Sequence, residues 1–214
     1  MIRAVIFDMD GVIVESENAH VEAEKQVLSK YGISISADEL HEYAGTTAKK
    51  MFTELIEKYK LKVKVERILR EKEQILFKFL EEDAQPTKGI IELLVKLKGR
   101  NMKLCIGSSS PMKQIEYVLK KLSITCLFDC AVGSDDIIHS KPDPEIFLKA
   151  AARLGLKPQE CLVVEDAKLG VEAAKRAGMK CIGFKNPNSG HQDLSKADIV
   201  IDSFSELNIE RALA

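Results

Sequence analysis

Six short apolar runs punctuate the chain: AVIF (4–7), KLCIG (103–107), CAV (130–132), CLVV (161–164), CIGF (181–184) and IVI (199–201). Each is too short for a helix and most are rich in β-branched residues, the pattern of a strand buried on both faces. Between them lie stretches of helical period. Residues 88–98 put Ile91, Leu94, Val95 and Leu97 largely on one side, and 112–122 do the same with Ile115, Val118, Leu119 and Leu122. Residues 144–154 and 169–177 complete the set, the last stopped by Gly178. Strands alternating with helices of this length predict parallel βαβ units. The expected core is α/β, a doubly wound, mainly parallel, Rossmann-like sheet.

One segment breaks the alternation. From about Asn18 to Glu82 there is helical period only, led by Val21, Val27 and Leu28, then Met51, Phe52, Leu55 and Ile56, then Ile68, Leu69, Ile75, Leu76 and Phe79. Gly32, Gly45 and Pro86 punctuate it. The expectation is an all-helical cap domain over 15–83, inserted after the first strand into a core of 1–14 and 84–214. Ligands of open α/β sheets bind beyond the carboxyl ends of the strands, and the insertion springs from that edge.

Composition narrows the partners. Thirty-two basic residues against thirty-three acidic leave a net charge of −1, without the basic excess of a nucleic-acid binder. No apolar stretch approaches the roughly 20 residues that cross a bilayer. The opening MIRAVIFDMD turns acidic too early for the apolar region of a signal peptide. Five cysteines, an odd count, argue against a disulfide framework. Cys126 and Cys130, the close pair, lack the second pair a zinc site needs. The expectation is reduced, structural thiols, a cytoplasmic location, no nucleic acid or membrane partner, and a monomer or weak dimer.

The chemistry sits where the strands end. After AVIF come Asp8, Asp10 and Gly11; after KLCIG come Ser108, Ser109 and Ser110; after CLVV come Glu165 and Asp166; Lys141 follows the third strand. Singly, each has an ordinary explanation: an Asp-Gly turn, serine N-caps, a Lys-Pro loop. Together they converge on one rim. Carboxylates gathered there repel one another and demand a cation, and oxygen ligands suit Mg²⁺. The lysine, hydroxyls and backbone amides suit an anion such as phosphate. A phosphate dianion about 4 Å from a carboxylate is repelled by some 2 kcal/mol in water and by several more at an effective dielectric near 20. Mg²⁺ and Lys141 reverse that field, which makes attack on phosphorus by a carboxylate feasible and gives an aspartyl-phosphate.

These residues resemble a known family. FDMDGV (7–12), GSSSP (107–111), KPDPEIF (141–147) and VVEDAKLGVEAAKRAG (163–178) look like the four motifs of the haloacid dehalogenase-like superfamily, and the likeness spans essentially the whole chain. More narrowly, the chain resembles the β-phosphoglucomutase and phosphoglycolate phosphatase-like branch, which carries a helical cap. The resemblance implies Asp8 as nucleophile and Asp10 as general acid and base. It implies Ser108, Ser109 and Lys141 as the phosphate site, and Asp8, the Asp10 carbonyl, Glu165 and Asp166 around Mg²⁺. Dehalogenases of the superfamily lack an acid two residues after the nucleophile, because halide leaves without a proton. Asp10 therefore points to a phosphate ester, whose leaving alkoxide needs one.

The cap is expected to choose the substrate. Glu15, Ser16, Glu17 and His20 lie near the hinge, and Gly45 resembles the substrate loop of related caps. His20 has the spacing of a histidine in β-phosphoglucomutases. Those mutases follow their glycine with an arginine that grips a second phosphate; here Thr46, Thr47 and Ala48 follow, with Lys49 and Lys50 the nearest cations. The leading expectation is a Mg²⁺-dependent phosphatase of a small phosphorylated metabolite, a sugar phosphate among the candidates. The alternative is a sugar phosphomutase. A phospho-acceptor receiver domain fits less well, since its aspartate ends the third strand and it lacks a cap.

Overall fold

The computed structural model describes residues 1–213. Strands β1 (Ala4–Phe7), β2 (Lys103–Gly107), β3 (Cys130–Val132), β4 (Cys161–Glu165), β5 (Lys180–Phe184) and β6 (Ile199–Ile201) form one sheet in the order β3-β2-β1-β4-β5-β6. Every pairing is parallel. The helices are α1 (Glu17–Ser29), α2 (Ala37–His41), α3 (Ala48–Lys58), α4 (Val65–Asp83), α5 (Ile90–Gly99), α6 (Met112–Lys121), α7 (Glu145–Leu154), α8 (Lys168–Arg176) and α9 (Ile209–Leu213).

Successive strand residues point to opposite faces. Val5, Phe7, Leu104, Ile106 and Leu162 pack with Leu94 and Leu97 of α5 and Ile115 and Val118 of α6. Ala4, Ile6, Cys105 and Val163 pack with Phe147 and Ala150 of α7 and Val171 and Ala174 of α8 on the other face. Helices cover both faces, so the strands carry apolar side chains without alternation. The sheet is doubly wound. The chain runs outward from β1 through β2 to β3, then returns to place β4 against the other side of β1. That reversal opens a crevice at the carboxyl ends of β1 and β4.

Helices α1 to α4 are inserted between β1 and β2; Val27, Leu28, Leu40, Phe52, Leu55 and Ile68 form an apolar cluster among them, while Ala23 of α1 and Leu76 and Leu80 of α4 pack into the cluster on the sheet face. The two connecting segments run side by side: Glu15 N–H donates to Gln85 O at 2.9 Å and Thr87 N–H to Ile13 O at 3.0 Å. No described helix is long and apolar enough to cross a membrane.

The expected strands are all present, with β4 running one residue further to Glu165 and β5 starting at Lys180. Helix α5 starts at Ile90 instead of 88, because Gly89 takes a left-handed φ of 83° that ends the preceding turn. Gly178 closes α8 with φ 72°, and Met179 N–H donates back to Ala174 O at 3.1 Å, a Schellman arrangement. Helix α2 was not expected. It is a single short turn that buries only Leu40, too little for periodicity to register. Its sequence signal is Ser36, whose hydroxyl accepts from Glu39 N–H at 3.1 Å.

Candidate active site

The rim residues meet. Asp8 leaves β1 directly, its N–H still bonded to Val164 O of β4 at 2.9 Å. The chain then turns back tightly, with Ile13 N–H on Met9 O at 2.8 Å and Gly11 at φ 79°. Gly11 has a second requirement. A Cβ there would sit 2.2 Å from Asp166 Oδ2, so the bare backbone is what lets the β4 carboxylate reach the β1 loop.

Lys141 arrives from the loop after β3 and is fully buried. Its Nζ lies 2.5 Å from Asp8 Oδ1 and 2.5 Å from Glu165 Oε1, and 5.1 Å from the centroid of the Phe147 ring. Burial works against a charged amine, but the two carboxylates outweigh it and hold Lys141 well above the ordinary lysine range. Asp8 is raised to about 7, by burial first, against the pull of Lys141, with Glu165 and Asp10 adding repulsion.

Asp10 is the most densely bonded acid of the site. Its Oδ1 accepts from Ser16 Oγ at 2.6 Å and from Gln114 Nε2 at 3.3 Å, and His20 Nε2 stands 3.2 Å away. Its Oδ2 accepts from Ser110 Oγ at 2.7 Å and from Ser108 Oγ at 3.5 Å. Burial alone would raise its pKa; the His20 ring and these hydroxyl donors overcome it and hold the carboxyl well below the usual range. Behind His20, buried Lys72 of α4 places Nζ 2.9 Å from Nδ1 and 3.6 Å from Glu24 Oε1. On the other side of the ring, Gln114 Nε2 lies 3.0 Å from His20 Nε2.

On the β4 side, Asp166 accepts from Ser189 Oγ, and its pKa is pushed well above normal by burial and then by Glu17, Glu165 and Asp8. Asn186 Nδ2 donates to Gly11 O at 3.0 Å, so the loop after β5 braces both the β1 turn and Asp166. Glu17, half-buried, is raised to about 8 by burial, then by Asp10, Asp8 and Glu24. These groups surround a cavity of about 100 Å³ between cap and sheet, lined by Asp8, Asp10, Glu17, His20, Lys72, Ser108 and Asp166 among others. A water occupies about 30 Å³ of liquid, so the space suits a phosphoryl group and a few further atoms. It continues into an open groove past Thr47, Lys72 and Ser109.

Three of the expected positions make further contacts. Ser109 turns its hydroxyl to the cap, donating to Gly45 O at 2.7 Å, and thereby seats the substrate loop on the sheet. Lys49 is exposed on the first turn of α3 and borders the groove instead of the cavity. Glu165 has both oxygens engaged, by Lys141 and by Ala167 N–H at 2.9 Å, and Gly170 packs so closely that a Cβ there would sit 1.8 Å from Oε1. It holds the lysine. Gly45 itself, at φ 81°, rests against Ala167, where a Cβ would come within 3.1 Å.

The remaining oxygen donors fit a hard cation. Asp8 and Asp166 are buried carboxylates whose proton affinity is raised by burial first and then by neighbouring acids, and the glycine contact brings Asp166 to the β1 turn beside the Asp10 main chain. Among the described residues, His139, Asp143 and Glu145 are a group of possible ligands whose atoms lie within 4.8 Å of one another. They sit on the loop after β3 and the start of α7, where Glu145 already accepts from His139 N–H at 2.8 Å and pairs with Lys149 at 2.7 Å.

A doubly wound sheet with an acid at the end of its first strand, a buried lysine, a second acid pair and a helical lid defines a narrow class of enzyme. Residues 5–184 match the haloacid dehalogenase-like hydrolase family, and the chain belongs to that family. It is 34% identical over 184 residues to the phosphorylated carbohydrates phosphatase of Thermotoga maritima, covering 84% of this chain and 83% of that protein. Over 217 residues it is 33% identical to the β-phosphoglucomutase of Bacillus subtilis, covering 97% and 92%. A crystal structure of β-phosphoglucomutase from Clostridium difficile matches it with a TM-score of 0.88 at 31% identity, covering 99% and 95%.

Proposed function

We propose that the chain is a Mg²⁺-dependent phosphatase that hydrolyses a small phosphorylated carbohydrate through an aspartyl-phosphate on Asp8. The observation that carries this reading is the floor of the cavity, where Asp8 sits 2.5 Å from the Lys141 ammonium and Asp10 lies in a ring of donors. Asp8 attacks phosphorus in line while Lys141 and Ser108 hold the phosphoryl oxygens. The ester P–O bond breaks, and the leaving oxygen takes a proton from Asp10. Asp10 then accepts a proton from water as that water attacks the phosphorus, freeing Asp8 and phosphate. Bound Mg²⁺, held by Asp8, Asp166 and the Asp10 carbonyl, would offset the negative charge of the acids and the phosphate.

The ring around Asp10 suits the second half of this cycle, since it favours the carboxylate. For the first half Asp10 must carry a proton, and an approaching phosphate dianion raises its affinity for one.

The cavity walls favour a hydroxyl-rich leaving group. Glu17 and Glu24 offer hydrogen-bond partners to hydroxyls, while Lys72 is already tied to Glu24 and His20 and is not free to grip a second phosphate. Ala48 supplies no grip for a second phosphate, which supports hydrolysis over mutase chemistry. The likeness to β-phosphoglucomutases and the His20–Asp10 contact favour the alternative, in which a second sugar hydroxyl takes the phosphoryl group. Phosphate release and hexose 1-phosphate isomerisation, assayed side by side with Mg²⁺ over a panel of sugar phosphates, separate the two. Release is expected to dominate and to vanish in Asp8→Asn. Isomerisation with little free phosphate would establish the mutase instead.

A further inference from the structure

The sheet holds a sulfur pair away from the cavity. Cys105 of β2 and Cys130 of β3 are register partners in adjacent parallel strands. Their sulfurs lie 3.0 Å apart and share a hydrogen bond. Neighbouring strands run about 4.8 Å apart, within the roughly 4.4–6.8 Å that a disulfide spans between Cα atoms, so closing the bond needs only a small sulfur displacement. The pair is also asymmetric. Cys105 is fully buried between β1 and β3, whereas Cys130 opens the edge strand and is half-buried.

The surroundings differ in charge as well. Arg153 of α7 donates to Ala131 O, one residue from Cys130, and is fixed in place by Asp136 at 2.5 Å. The Cys105 hydrogen bond, with Arg153 and Lys103, draws the Cys130 thiol below the ordinary range despite partial burial. Cys105 is pushed far up by the same hydrogen bond and by burial. One thiol is thus half-buried on the edge strand with its proton affinity drawn down, and the other stands 3.0 Å away, the arrangement of a reversible thiol pair.

We propose that Cys105 and Cys130 form a reversible disulfide when the protein meets a hydroperoxide. The Cys130 thiolate attacks one peroxide oxygen, the O–O bond breaks, and sulfenic acid and hydroxide (or alkoxide) result. The Cys105 sulfur then attacks the Cys130 sulfur, the S–O bond breaks, and water leaves with the Cys105 proton. Two electrons pass from the thiols to the peroxide. A dithiol reductant reverses the bond by exchange.

The experiment treats the full-length protein with stoichiometric hydrogen peroxide, alkylates the remaining thiols, and maps peptides by mass spectrometry. Of the five thiols, two are expected to become protected, in one cross-linked peptide pair that joins positions 105 and 130 and is released by dithiothreitol. Cys126→Ser, which removes the exposed neighbour, should leave the cross-link intact, and Cys130→Ser should abolish it. Five alkylated thiols after peroxide, a bond to Cys126, or Cys130 advancing to sulfinate without a cross-link would each overturn the proposal. Because the mapping is done on the unsubstituted protein, the result stands even if Cys130→Ser does not fold.

Discussion

At the scale of single residues, the site works by assigning different protonation to neighbouring carboxyls. Asp8 and Asp10 stand two positions apart at the end of one strand, yet burial against other acids raises the first to about 7 while His20, Ser16 and Ser110 hold the second low. The proton role assigned to Asp10 can be isolated. Asp10→Asn keeps the side-chain shape but presents an amide that cannot exchange the proton, and kcat on a sugar phosphate should fall by about 10²–10⁴. With p-nitrophenyl phosphate, whose leaving group needs no proton, a first-turnover burst of p-nitrophenol should survive. Loss of the burst would mean that Asp10 does something other than transfer protons. Which residues were legible follows from the same geometry. Asp8, Asp10, Ser108 and Asp166 stand at strand ends and Lys141 in the loop after β3 directly before Pro142, where a one-dimensional pattern can point to them. Ser110 is visible after β2 but its bond to Asp10 is not, and Gln114, Lys72, Asn186 and Ser189 leave no such signal, because their roles depend on contacts across as many as 175 positions of sequence. Ser109 and Glu165 line the cavity as well, but only packing reveals that one donates to Gly45 O and the other accepts from Lys141.

At the scale of elements, the strands were plain in the sequence because burial on both faces removes polar residues from them. Short α2 was hidden because a five-residue helix has no period to detect. Cap residues divide between a cluster of their own around Phe52 and the sheet-face cluster, which Ala23, Leu76 and Leu80 join, and the chain passes between cap and sheet through paired segments at Glu15–Gln85 and Ile13–Thr87. We propose that 15–83 moves as a unit on those segments and gates the cavity. Phe52 lies fully buried in the cap cluster, away from the catalytic groups. Phe52→Ala should cost about 3–5 kcal/mol and split off a low-temperature transition in calorimetry, belonging to the cap, while the sheet melts as before. A single shifted transition would show that cap and sheet fold as one cooperative body.

At the scale of the whole molecule, the cost of gathering acids at one rim should appear as a linkage between protons, Mg²⁺ and stability. The folded chain raises Asp8 to about 7 from an ordinary value of 3.8 and raises Asp166 as well. Without Mg²⁺ the folded state therefore binds more protons than the unfolded chain between about pH 4 and 7, and stability falls as pH rises through that window. The Tm of metal-free protein is expected to drop between pH 5 and pH 8, and Mg²⁺ to raise Tm more at pH 8 than at pH 5. A Tm indifferent to Mg²⁺ at pH 8 would remove the cation from the account. The central claim remains that Asp8 carries the phosphoryl group. Acid-quenching the enzyme during turnover and reducing it with borohydride converts an aspartyl-phosphate to homoserine, which peptide mass spectrometry locates. Homoserine is expected at position 8 and absent from Asp8→Asn; active turnover with position 8 unmodified, or with the label at another carboxyl, would contradict the mechanism.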